Sequence, residues 1–188
     1  YSEMVNHLSD NYIDNPDSVF ANGNSGGAIQ IAYGLAIYGL ESIFDMVVLT
    51  GGPPVSDLKT GIFGDGTEPE YWPDGLAGFE LTDFMMAWDG NGDYCVNREA
   101  PEYIQAQLDT VSLVTDIHPR IYNYSTHINF VQSNDCTNAD HQAEIYFDEI
   151  SSDKDWFFLP NTTEHAVPGT VEGAQLIREL IMNYPNAS

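Results

Sequence analysis

The sequence is poor in positive charge: Lys and Arg number five against 29 Asp and Glu, for a formal net charge of -24 over 188 residues. A surface of that sign repels phosphodiester backbones and anionic lipid headgroups, which argues against nucleic-acid binding and membrane adhesion. Long apolar runs are lacking too. None approaches the roughly 18 residues of a membrane span. Cysteine is scarce, with two residues, Cys95 and Cys136, which leaves either two buried thiols or one disulfide. What the chain has instead is 43% hydrophobic residues and 12% aromatics, enough for a core, and a length that fits one globular domain. Neither an internal repeat nor a linker divides it.

Three acceptor patterns for N-glycosylation, at Asn123, Asn161 and Asn186, fall where loops or a tail are expected. Together with the acidity and the low Lys content they predict a secreted glycoprotein.

Ser18 to Leu40 carries the chemistry. Val19 and Phe20 begin a short strand, Gly23, Gly26 and Gly27 supply the freedom for a sharp reversal, and an apolar stretch follows at helical spacing. The predicted inward face is Ile29, Ala32, Tyr33, Ala36, Ile37 and Leu40, with Gly39 as terminator. The turn Gly23-Asn24-Ser25-Gly26-Gly27 is a G-x-S-x-G pattern. A serine on such a strand-to-helix turn has its hydroxyl pushed out of the sheet. Crowding at the positions two before and two after calls for glycine, and the Gly26 amide at the helix N-terminus is placed to donate to a developing oxyanion.

Around this turn the elements alternate. Residues 1 to 14 read as a helix with Met4, Val5, Leu8 and Tyr12 on the packed side. Ser42 to Thr50, His127 to Gln132 and Asp155 to Leu159 read as strands, and Asn138 to Ile150 and Thr170 to Met182 as helices. The last is expected to turn Val171, Ala174, Ile177, Leu180 and Ile181 inward. Residues 55 to 117 interrupt the alternation with Gly, Pro, Asp and aromatics, as a cap or lid over a site would. Within them Asp89-Gly90-Asn91-Gly92-Asp93 resembles the start of a calcium loop, but Tyr94 stands where Gly is needed and Ala100 where a bidentate Glu is needed, so a polar turn is expected.

A serine needs a base, and the base a carboxylate to orient it. Asp135 follows the strand at 127, and His165 follows the strand at 155. In a parallel sheet their strand ends share one rim with Ser25. Rivals for the acid are Asp140 and Asp116, and for the base His127 and His141; His7 and His118 read as helix-surface and loop residues.

With Ser25, Asp135 and His165 in that order, the chain resembles the C-terminal two-thirds of the α/β-hydrolases and is similar to their secreted esterase- and lipase-like members. The resemblance implies a three-layer, mostly parallel α/β sandwich over residues 1 to 188 with the cap at 55 to 117. It implies Gly23 to Gly27 as nucleophile elbow, Asp135 as acid, His165 as base, a small-molecule carboxylic ester as substrate, and no cofactor or metal. A bond between Cys95 and Cys136 would tether the cap to the acid loop. The family places its first strands before the elbow. With few residues there, the elbow strand is expected to be covered by missing N-terminal polypeptide or by a second chain.

Overall fold

The computed structural model describes residues 1–12, 18–53, 56–58, 102–115, 119–134 and 137–185. Its elements in order are α1 (Ser2–Tyr12), β1 (Phe20–Asn24), α2 (Gly26–Tyr38), β2 (Met46–Thr50), α3 (Glu102–Val111), β3 (His127–Ser133), α4 (Thr137–Glu149), β4 (Lys154–Leu159) and α5 (Val171–Met182). The four strands pair in chain order and all in parallel, so that Gly23 lies beside Leu49, Leu49 beside Phe130 and Phe130 beside Trp156. Each strand returns to the same end of the sheet only by a crossover, which explains why helices alternate with strands. The elbow strand β1 forms one edge of the sheet among the described residues.

Both faces of the sheet are covered. All five residues of β2 are buried, which is why Met46 to Thr50 reads as an unbroken apolar run. On one side Val47, Leu49, Ile128 and Phe130 meet Ala28, Ile31, Ala32 and Leu35 of α2 and Ala143 and Tyr146 of α4. Phe130 is the aromatic centre of this layer, stacked on Trp156 at 5.7 Å and edge-on to Phe147 at 5.3 Å. Such ring pairs contribute about 0.5–1.5 kcal/mol each beyond their burial. On the other side Met46, Val48 and Val131 meet Ile177 of α5, with Leu176, Leu180 and Ile181 packed around it.

Three expected helix faces are corrected. The buried side of α2 is Ala28, Ile31, Ala32, Leu35 and Ala36, while Ile37 is exposed and Ile29 only half-buried. This helix is apolar on nearly every side, so spacing alone carries little phase. In α1, Val5 packs on the core, but Met4 and Leu8 are 55% and 42% exposed. In α5, Val171 is 74% exposed and Ala174 also faces solvent, because Gly173 takes the inward place against Val167 and Thr170. Gly39 does end α2: it adopts φ 70° and its amide donates to Gly34 O.

Two of the five cations serve helix ends. Arg120 donates to Thr110 O and Ser112 O just beyond α3, and Lys154 donates to Phe147 O and Ile150 O at the end of α4 with its ammonium 4.1 Å from the Phe147 ring centroid. Carbonyls left free at helix C-termini draw positive charge there.

Both flanks of the expected cap belong to the body of the domain. Ser56 N and Asp57 N donate to Gln142 Oε1 of α4 at 2.7 and 2.9 Å, Leu58 N donates to Ser112 Oγ, and Leu58, Leu108 and Leu113 are buried. The middle of that segment, and with it Cys95 and the Asp89 to Asp93 stretch, lies outside the described residues. The same is true of Asp116, His118, Asp135, Cys136 and Asn186.

Candidate active site

Ser25 sits alone between the last residue of β1 and the first of α2, with φ 53° and ψ -115°. A positive φ in a residue with a Cβ is a strained arrangement that needs its surroundings to hold it. Two backbone bonds do so: Ser25 N donates to Thr50 O at 2.9 Å, and Ile29 N donates to Ser25 O at 3.1 Å. The side chain does not cap the helix it precedes, which leaves the hydroxyl free for other work.

The glycines of the turn have unequal reasons. A Cβ on Gly23 would lie 2.5 Å from the carbonyl carbon and oxygen of Gly27 and 2.8 Å from the Ala28 amide, so only glycine fits. At Gly27 the steric expectation fails. Among the described residues a Cβ there, or on Gly26, meets nothing within 4 Å. Gly27 is the backbone that Gly23 must clear. Gly26 opens α2, where a first-turn amide has no acceptor within the helix.

Asn24, the second residue of the turn, is anchored rather than free. Thr50 Oγ1 lies 2.9 Å from Asn24 Oδ1 and 3.2 Å from Gly23 O, sharing its hydrogen between them. The next residue, Gly51, has φ 55°, and Gly52 has φ 148°, both conformations that favour glycine. A Cβ on Gly51 would meet His165 O at 3.0 Å, and both the His165 Cε1 atom and Asn24 Oδ1 at 3.4 Å. The imidazole that follows β4 and the residue preceding the serine thus flank one glycine at the end of β2. Ser25 and His165, 140 positions apart in the chain, share one rim of the sheet.

The loop bearing His165 is tied down from both sides. Ser133 Oγ donates to Glu164 O at 3.2 Å, Asn134 N donates to Thr162 O at 2.8 Å, and Val167 N donates to His165 O at 2.9 Å. Gln132 fixes the loop after β2 in the same way: it accepts from Gly52 N at 3.1 Å and donates to Gly52 O at 3.0 Å. Both ring nitrogens of His165 are buried, and neither has a hydrogen-bond partner among the described residues.

The rivals separate by position. His127 opens β3 at the opposite end of the sheet, where its Nε2 lies 3.1 Å from Asp155 Oδ2. His7 lies on α1 beside Asn11. His141 and Asp140 belong to α4, whose first five side chains are outside the described residues. Sequence reasoning missed the supporting residues Gly51 and Gln132. A glycine pair directly after a buried strand was the signal for the first; nothing in the sequence pointed to the second. Among the described residues no group of His, Cys, Asp and Glu could hold a metal ion, and no helix is long and apolar enough to cross a membrane.

The fold as a whole finds counterparts among solved structures. Human thioesterase 2 superposes with a TM-score of 0.50 at 20% identity, over 96% of this chain and 78% of that one. The chain has the α/β-hydrolase fold. RedJ with a polyethylene glycol molecule in its active site aligns at 0.49 and 18% identity over 95% and 69% of the two chains. MGS-MChE2, an α/β-hydrolase enzyme from a sediment metagenome of the Mar Chica lagoon in Morocco, aligns at 0.46 and 17% over 96% and 67%. No family model and no curated protein matches the sequence.

Proposed function

We propose that the protein is a serine hydrolase that cleaves carboxylic esters through an acyl-enzyme on Ser25. The observation that carries this reading is the backbone of Ser25, φ 53° and ψ -115° on a turn that only Gly23 permits. A fold that maintains such strain at a serine, and leaves that serine out of helix capping, has a use for the exposed hydroxyl. In this mechanism Oγ attacks the ester carbonyl as His165 takes its proton, and the Gly26 amide donates to the oxyanion. His165 then returns the proton to the departing alcohol, and water repeats the cycle to release the acid. Asp135 would orient the imidazole. A buried His165 ring without another partner among the described residues supports its assignment as the base. Activated acyl compounds such as thioesters fit the same steps.

The test is labelling with a fluorophosphonate probe, which requires an activated serine. The native protein reacts, Ser25→Ala does not, and His165→Ala reacts at least about 100-fold more slowly. Labelling that survives Ser25→Ala, or an inert native protein, refutes the proposal and leaves a hydrolase fold without hydrolase chemistry.

A further inference from the structure

At the end of the sheet opposite Ser25, between the strands and α5, lies a cavity of about 880 Å³. One of the residues lining it is Asn129, in the middle of β3 between Ile128 and Phe130. The residue is 1% exposed, and neither atom of its side-chain amide has a hydrogen-bond partner among the described residues. Asparagine is disfavoured in strands, and an unpaired buried amide adds a desolvation penalty. The Ser152 hydroxyl, which also lines the cavity, is likewise buried without a partner. Beside Asn129 in register on β4 is Asp155, so the two side chains stand about 5 Å apart on one face. One oxygen of that carboxylate meets His127 Nε2 at 3.1 Å. Glu179 of α5 brings another carboxylate, and Met46, Phe157 and Leu180 supply apolar wall; no Lys or Arg lines the space.

The geometry points to a second binding site here, for a small organic cation that carries an apolar body and a hydroxyl. Its ammonium donates to the Asp155 and Glu179 carboxylates, and its hydroxyl donates to Asn129 Oδ1 and accepts from Asn129 Nδ2. Phosphates and carboxylates are repelled by the same carboxylates. The volume falls in the range of small-molecule pockets. No part of this assignment uses Ser25.

The experiment is calorimetric titration of the whole chain with tyramine, which has the ring, the ammonium and the hydroxyl. Phenethylamine, which lacks the hydroxyl, and 4-ethylphenol, which lacks the amine, are the comparisons. Tyramine is expected to bind at one site at least about tenfold more tightly than either. Asn129→Leu should reduce tyramine to the affinity of phenethylamine and leave phenethylamine unchanged. Glu179→Gln, at an exposed position of α5, is a variant that should fold normally; it should weaken both amines and not 4-ethylphenol. Protein already labelled at Ser25 should bind tyramine as before. Equal binding of the three compounds, no saturable binding, a response indifferent to both substitutions, or loss of binding on Ser25 labelling each overturns the assignment; the cavity then holds water, or the amines enter the catalytic rim.

Discussion

Two glycines four positions apart in one motif should respond in opposite directions to the same added methyl group. In Gly23→Ala the new Cβ falls 2.5 Å from the Gly27 carbonyl, about 1 Å inside van der Waals contact, and the atoms it meets are backbone. No side chain can turn aside, so α2 must shift against β1. Overpacking of this kind costs about 1–3 kcal/mol, and a rigid backbone obstacle puts Gly23→Ala at about 3 kcal/mol. With a urea slope of about 2 kcal/mol/M, the unfolding midpoint falls by about 1.5 M. Ser25 lies between the two parts that separate, so its rate of fluorophosphonate labelling should fall about 100-fold, as expected for a 1 Å displacement of a reacting group. In Gly27→Ala the added carbon meets nothing within 4 Å, and alanine is the better helix former by about 0.5–1 kcal/mol. That variant should unfold at an equal or slightly higher urea concentration. Urea titrations followed by tryptophan fluorescence, run beside labelling rates, read both effects. A Gly23→Ala midpoint equal to the native one, or a Gly27→Ala loss as large as that of Gly23→Ala, would refute the steric account of the turn.

Gly51→Ala places a methyl group at φ 55° against His165 O and the imidazole edge. It should cost about 1–2 kcal/mol in a urea titration and lower kcat on a p-nitrophenyl ester more than it raises KM. Gln132→Leu strands the buried Gly52 amide and carbonyl, and a stability loss of about 3 kcal/mol is expected from the same titration. The Tyr124 and Tyr146 hydroxyls meet at 2.9 Å, and burial pushes both phenols above their ordinary value near 10. Phenols that hold their protons more tightly in the folded state contribute in full below about pH 10 and lose that contribution as pH climbs beyond it. Urea midpoints should therefore drop between pH 9 and pH 11, less steeply in Tyr146→Phe. Asn123 and Asn161 are both exposed outside regular elements. When the protein is made through a secretory pathway, peptide N-glycosidase should lower its mass, and Asn123→Gln with Asn161→Gln should reduce that shift.

Strand and helix positions were legible because β2, β3 and β4 are short, apolar and β-branched or aromatic, and each is followed by a polar turn. The strands at 127 and 155 fall within a residue of their expected bounds, and Thr170 caps α5 through a bond from Gly173 N. Helix phase was less legible. In α2, Ile29, Ile31, Leu35 and Ile37 offer two apolar faces, and only the sheet decides between them. The serine was singled out by its glycine neighbours, and the histidine by counting strand ends. The clamp by Gln132 could not be read, since it depends on contacts 80 positions apart. Asn129 was hidden for another reason: a polar residue alternating with apolar ones in a strand ordinarily marks the solvent side.

The candidate site is built chiefly from backbone. Ser25 is placed by its own φ and by a bond to Thr50 O; Gly51 makes room for the His165 carbonyl; and the histidine loop hangs from Asn134 N and Ser133 Oγ at the end of β3. The Thr50 and Asn134 ties join the ends of neighbouring strands, β1 to β2 and β3 to β4, so the spacing of the sheet sets where the serine turn and the histidine loop stand on the rim. It follows that substitutions on the rim should act according to the room they take. Leu49 and Phe130 can exchange for other apolar residues at modest cost, as packed cores permit. At Gly23 and Gly51 even one carbon is too many, because each faces a main-chain atom that has no alternative position.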